Sequence, residues 1–126
     1  MSPDAFRALA LKLPGVAEAA HQGHADFRVR NKIFATLGYP DEAYGMVKLS
    51  SEEQARFARQ MPEIFAPAKG AWGEQGSTLV KLEAASEDKV RSAVRSAWER
   101  LVREETAVTA KQGVRRNAAR PKRTKI

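Results

Sequence analysis

One stretch of the sequence limits the fold more than any other. In His24–Leu37, HADFRVRNKIFATL, the apolar Phe27 and Val29 alternate with Arg28 and Arg30. Alternation with a period of two is the pattern of a strand with one face buried and the other solvated. The first half of the stretch therefore predicts a β-strand whose polar face is basic.

The same stretch predicts a reversal of the chain and a second strand. Asn31 tolerates the positive φ that a tight turn requires, and Ile33–Leu37 then resumes an apolar strand pattern. The sequence leaves the register open, because either Arg30-Asn31 or Asn31-Lys32 fits as the turn. In both cases a β-hairpin carries Arg28, Arg30 and Lys32 at or beside its tip.

The composition fits one soluble domain without covalent or metal support. A chain of 126 residues that is 43% hydrophobic can bury a core of its own. It has no cysteine, which excludes disulfides, thiolate catalysis and cysteine-ligated metal sites. The start of the chain has neither a basic region nor an apolar run, and no apolar segment approaches the roughly 20 residues of a membrane span. We therefore expect a cytoplasmic protein that has no membrane partner.

The net charge of +7 is confined to one end of the chain. Residues 1–105 contain 15 basic and 15 acidic side chains, whereas residues 106–126 contain seven basic side chains and no acid. The seven are Lys111, Arg115, Arg116, Arg120, Lys122, Arg123 and Lys125. The sequence therefore predicts a nearly neutral domain over 1–105 and a basic, disordered tail over 106–126, of the kind that contacts polyanions.

Helical and strand patterns alternate along the rest of the domain. Ser2 and Ser50 are predicted N-caps of the first two helices, and a stripe from Val90 to Leu101 marks the last helix. Residues 16–22 are interpreted as a lead-in to the first strand, and the glycine-rich segment 70–76 as a turn region around a tryptophan. The predicted order is α-β-β-β-α-β-β-α, a single α+β domain. Its antiparallel sheet of four to five strands packs with three helices.

No catalytic, cofactor-binding or metal-ligating set stands out. His21 and His24 are expected to point to opposite faces if they share a strand, which does not let ligands converge. Serines lie where caps and turns need them, and Gly70, Gly73 and Gly76 miss the phosphate-loop pattern. We expect a protein that is not an enzyme and has no cofactor.

A family resemblance rests on the order of several short motifs. FRVRNKIFATL, the strand MVKLS leading into a helix, the opening LKLPGVAEA, a tryptophan before the last strand and a C-terminal amphipathic helix resemble the MmcQ/YjbR family over residues 2–103. The resemblance implies a small bacterial α+β protein with an antiparallel sheet, of a kind described as DNA-binding. The positions that match the family pattern are Phe27, Lys32, Phe34, Lys48 and Trp72. The three aromatic residues are expected in the core or on the sheet surface.

These observations favour nucleic-acid binding, to DNA more than RNA, without sequence specificity. The residues expected to contact phosphate are Arg28, Arg30, Lys32, Lys48 and the seven basic residues of the tail. Two other interpretations stay open for the charges: a hairpin edge that repels other strands, and a solubilising tail. The alternative function is a chaperone-like protein-interaction module whose sheet or groove near Trp72 receives a partner. The third candidate function is the binding of a small molecule in a pocket.

Overall fold

The fold is taken from a computed structural model that describes residues 1–21 and 23–114, with side chains left out at 21 and 104–114. The elements are α1 (Pro3–Leu11), β1 (Val16–His21), β2 (His24–Val29), β3 (Lys32–Leu37), β4 (Tyr44–Lys48), α2 (Ser51–Gln60), β5 (Phe65–Pro67), α3 (Gly70–Glu74), β6 (Ser77–Lys81), a 3₁₀ turn (Leu82–Ala84) and α4 (Glu87–Val114). The predicted α+β class is confirmed. The described residues contain six strands and four α-helices, where the sequence predicts four to five strands and three helices.

All six strands form one antiparallel sheet in the order β1-β2-β3-β4-β6-β5. The additional strand is β1, where the sequence indicated only a lead-in. VAEAAH contains one β-branched residue and three alanines, so its intrinsic strand preference is weak. Pairing with β2 along its whole length, from Val16↔Val29 to His21↔His24, makes it a strand.

The hairpin between β2 and β3 adopts one of the two registers that the sequence allowed. Arg30 and Asn31 both have positive φ, 54° and 69°, and Val29 pairs with Lys32. The turn is therefore Arg30-Asn31, with the backbone that two-residue hairpin turns favour. A register shift between Phe27 and Arg28 marks a β-bulge, which bends the hairpin.

The core lies between one face of the sheet and the helices α1 and α4. Phe27 and Phe34 are fully buried there, as expected from the resemblance, together with Phe6 and Val94. Packing is close enough that a Cβ on Gly45 would lie 2.9 Å from the Phe6 ring. The apolar stripe predicted for the last helix, from Val90 to Leu101, is confirmed.

Both predicted N-caps are confirmed as well. The Ser2 hydroxyl accepts a hydrogen bond from the backbone N–H of Ala5, and the Ser50 hydroxyl accepts one from Glu53, each at 3.1 Å. These bonds satisfy N–H groups that have no partner within the helix. The two helices therefore begin where the sequence indicated.

Helix α4 continues to Val114, past the boundary predicted at residue 105. The backbone of residues 106–114, the first part of the predicted tail, is therefore helical. The rest of the predicted tail, 115–126, lies outside the described residues. Within the described residues no helix has the length and apolar character to cross a membrane.

Candidate functional site

Two of the predicted basic residues extend freely from the hairpin. Arg30 occupies the turn and Lys32 begins β3, and both are exposed. Neither has an ion-pair partner among the residues that the structure describes. Both cations are therefore available to a phosphate group.

The third basic residue of the hairpin, Arg28, is held by a neighbouring carboxylate. Its Nε donates to Asp26 Oδ1 at 2.8 Å and its terminal nitrogen donates to Asp26 Oδ2 at 3.1 Å. Asp26 is only 1% exposed, whereas Arg28 is 33% exposed. The hydrogen bond and the charge of Asp26 raise the pKa of Arg28, so Arg28 keeps its charge throughout the usual pH range.

The spacing in the sequence explains this pair. Residues two apart on a strand share a face, and a buried carboxylate needs a partner of opposite charge. Asp26 is that carboxylate, one of the 15 acids that offset the basic residues of 1–105. The structure shows that it neutralises one particular side chain.

The fourth residue, Lys48, lies away from the hairpin tip, in a groove on the other face of the sheet. Asp26, Thr36 and Met46 are successive cross-strand partners, and partners share a face. This face is opposite to the one that carries Phe27 into the core. Lys48 lines this groove, whose volume is about 580 Å³. That volume lies within the range of small-ligand sites.

Trp72 stands at this groove and not in the core. It is 54% exposed, and its ring packs edge-on against that of Tyr39 at 5.4 Å between centroids. Both rings line the groove, as does Arg100 from helix α4. Of the two locations expected for Trp72, the core and the sheet surface, the core is therefore wrong, and the side chain lines the groove on the other face of the sheet.

The segment that carries Trp72 is a short helix, where the sequence indicated a turn region. Gly73 lies in that helix, and a Cβ there would overlap the carbonyl oxygen of Ala68, so the helix packs directly on backbone. Gln54 of α2 donates from Nε2 to the carbonyl of Gly73 at 2.9 Å and to that of Ser77 at 3.0 Å. These contacts fix the position of Trp72.

The two histidines lie on different strands, not on one. His21 ends β1, His24 begins β2, and their backbones are register partners, so the expectation based on a shared strand does not apply. His24 lines the groove. Its ring lies edge-on to that of Tyr39, with 6.4 Å between the ring centroids. Among the described residues, no three histidine or carboxylate side chains are grouped to hold a metal ion.

The basic residues of the tail are mostly beyond the described part of the chain. Lys111 belongs to the helical backbone of α4, and its side chain is not among those described. Arg115, Arg116, Arg120, Lys122, Arg123 and Lys125 lie outside the described residues. Their role stays a prediction from charge.

Comparison with known proteins agrees with this fold. A solved structure, that of the Deinococcus radiodurans protein DR2400 with its DUF419 domain, is similar to this chain, with a TM-score of 0.65 and 15% sequence identity. The similarity covers 77% of this chain and 75% of the other. No curated protein matches. The YjbR family model matches residues 11–100, from the end of α1 into α4. The chain therefore belongs to the YjbR family.

Proposed function

We propose that this protein is a non-enzymatic nucleic-acid-binding protein of low sequence specificity that binds DNA in preference to RNA. The observation that carries the proposal is the division of charge: residues 106–126 supply the entire excess of +7, and 1–105 are neutral. Basic side chains bind phosphate by releasing condensed counterions, which requires no defined geometry. Contacts of this kind position a protein on the backbone but do not read bases.

The hairpin tip supports the proposal as a second contact. Arg30 and Lys32 are exposed and lie next to each other across the turn. Arg28 adds little, because its charge is already paired with Asp26, which accepts hydrogen bonds from its Nε and from one terminal nitrogen. Of the four phosphate contacts predicted for the domain, three therefore stay: Arg30 and Lys32 at the hairpin tip, and Lys48 in the groove.

The direct test is a titration of the intact protein with duplex DNA, single-stranded DNA and RNA at several salt concentrations. We expect binding to DNA in dilute buffer that weakens steeply as salt is added. The absence of binding to any of the three at low salt would overturn the proposal.

The hairpin allows a matched pair of variants. Arg30→Gln is expected to reduce the slope of log K against log salt by about 0.9, because one phosphate contact is lost. The double variant Asp26→Asn/Arg28→Gln removes an internally neutralised pair, and we expect its slope to equal that of the unchanged protein. Circular dichroism checks that both variants fold. Equal losses of slope in the two variants would contradict this division of the hairpin.

A second candidate function is a protein-interaction module. The exposure of Trp72 and Tyr39 supports it, because adjoining exposed aromatic rings are typical of interfaces. Purification of a single protein in stoichiometric amount, with no retention of the complex on DNA or heparin at moderate salt, would favour this function over nucleic-acid binding.

A further inference from the structure

A buried hydroxyl group in the groove has no partner. The side chain of Thr36 lines the groove, and its Oγ1 is buried without a hydrogen bond to any residue that the structure describes. Buried polar groups in folded proteins are nearly always hydrogen-bonded, because an unpaired one loses its water and gains nothing in return. The hydroxyl of Thr36 is therefore a donor that a molecule bound in the groove would satisfy.

One positive charge beside this hydroxyl is also unpaired. Lys48 is half-buried, lines the groove, and has no ion-pair partner among the side chains that the structure describes. Met46, two residues before Lys48 on β4, is the cross-strand partner of Thr36. Lys48 and Thr36 are therefore diagonal neighbours on one face of the sheet, a separation that a long side chain spans. The two donors can reach one acceptor group.

The other charged side chains of the groove are already engaged. Asp26 accepts two hydrogen bonds from Arg28, and Arg100 has an interaction of its own within the chain. Within the described part of the groove, this leaves the single charge of Lys48 for a ligand. A half-buried cation is most favourable with one counter-charge, so the groove matches a monoanion.

The rest of the groove suits an aromatic ring. The exposed rings of Trp72 and Tyr39 adjoin there, and Ile33 and Met46 add aliphatic surface. Aromatic side chains bind planar apolar groups by stacking and by edge contacts. A ligand with a ring and one negative charge matches both the apolar and the polar part of the groove.

We propose that the groove binds a small aromatic carboxylic acid, with its ring against Trp72 and Tyr39. Its carboxylate accepts hydrogen bonds from Lys48 Nζ and from the Thr36 hydroxyl. A carboxylate has two oxygens that accept and carries one charge, whereas an uncharged ring would leave both donors without an acceptor. The proposal goes beyond the proposed function and does not rest on it, because the charge of residues 106–126 carries that function.

The test titrates the isotope-labelled full-length protein with benzoate, phenylacetate and 2-naphthoate, and with the amide of each acid. The indole N–H signals of the two tryptophans report on binding by NMR. We expect at least one acid to shift the signal of Trp72 and to bind about tenfold more tightly than its amide, because the amide lacks the charge. The signal of Trp98, which donates to the Pro14 carbonyl at 3.0 Å, is the internal control and should stay in place.

Two variants test the polar contacts. Lys48→Gln is expected to weaken binding of the acid about tenfold, to the level of its amide. Lys89→Gln, which removes an exposed cation of α4 that does not line the groove, is the matched control and should change nothing. Thr36→Val is expected to weaken binding about threefold without lowering the free energy of unfolding, because the hydroxyl has no partner in the free protein.

The outcomes separate this proposal from the proposed function. If no acid shifts the Trp72 signal, the groove is not such a site, while binding to DNA is decided by its own titration. Equal affinity for acid and amide overturns the role of the carboxylate. Equal losses in Lys48→Gln and Lys89→Gln overturn Lys48 as its partner. Tighter binding of a peptide that ends in phenylalanine than of any free acid overturns the small ligand in favour of a protein terminus.

Discussion

Replacing Gly76 with alanine is expected to destabilise the fold severely. Gly76 has φ of +105°, a conformation that L-residues with a side chain rarely adopt. A Cβ there would overlap the carbonyl oxygen of Leu49, which is backbone and cannot move aside as a flexible side chain could. The Gly76 carbonyl also accepts from the Leu49 N–H at 2.9 Å and from the Thr78 hydroxyl at 3.0 Å.

The expected loss in the free energy of unfolding is a large part of the total stability of a domain of this size. Strain at the backbone and displacement of two hydrogen bonds place the expected cost above about 4 kcal/mol. A small domain has about 5–15 kcal/mol in total. The free energy of unfolding from urea denaturation, followed by circular dichroism, measures the effect.

Gly70 provides the matched control. It also has positive φ, +69°, but no atom lies within 4 Å of its added Cβ. Gly70→Ala should therefore cost only the conformational strain, about 1 kcal/mol. Equal losses in Gly70→Ala and Gly76→Ala would mean that the contact with Leu49 does not determine the effect.

The fold was predictable from sequence wherever a strong pattern and a local signal agree. The hairpin has alternation and a turn residue, and α4 has a long apolar stripe, so both were correctly predicted. β1 was missed because Val16–His21 is rich in alanine, and only its partner strand makes it a strand. α3 was missed because Gly70 and Gly73 signal a turn, whereas here a glycine is needed so that the helix can touch the Ala68 carbonyl.

The candidate site was predictable only in part. A sequence shows which residues are charged, but it does not show which of those charges are already held in an ion pair. Arg28 and Arg30 look equivalent in the hairpin, and only the burial of Asp26 distinguishes them. The meeting of Trp72, Tyr39 and Arg100 at one groove depends on the packing of α3 and α4 against the sheet. No spacing in the sequence contains that information.

Changing all seven basic residues of 106–126 to glutamine is expected to remove most of the affinity for DNA. If all seven contact phosphate, they contribute about −6 to the slope of log K against log salt for duplex DNA. Between 50 and 200 mM salt the unchanged protein should then lose a thousandfold or more in affinity, and the variant about tenfold, owing to Arg30 and Lys32. Glutamine is a good helix former, so the helical backbone to Val114 should persist.

A shuffled order of residues 106–126 is the control that separates charge from sequence. It keeps all seven cations and the length, and counterion release depends on charge and not on order. We therefore expect the shuffled chain to match the unchanged protein in affinity and slope, measured by anisotropy of a labelled duplex. A shuffled chain that binds as weakly as the glutamine variant would show that the segment acts through a defined structure. A glutamine variant that keeps the full slope would remove the segment from the mechanism, because the remaining exposed cations of the hairpin cannot supply six phosphate contacts.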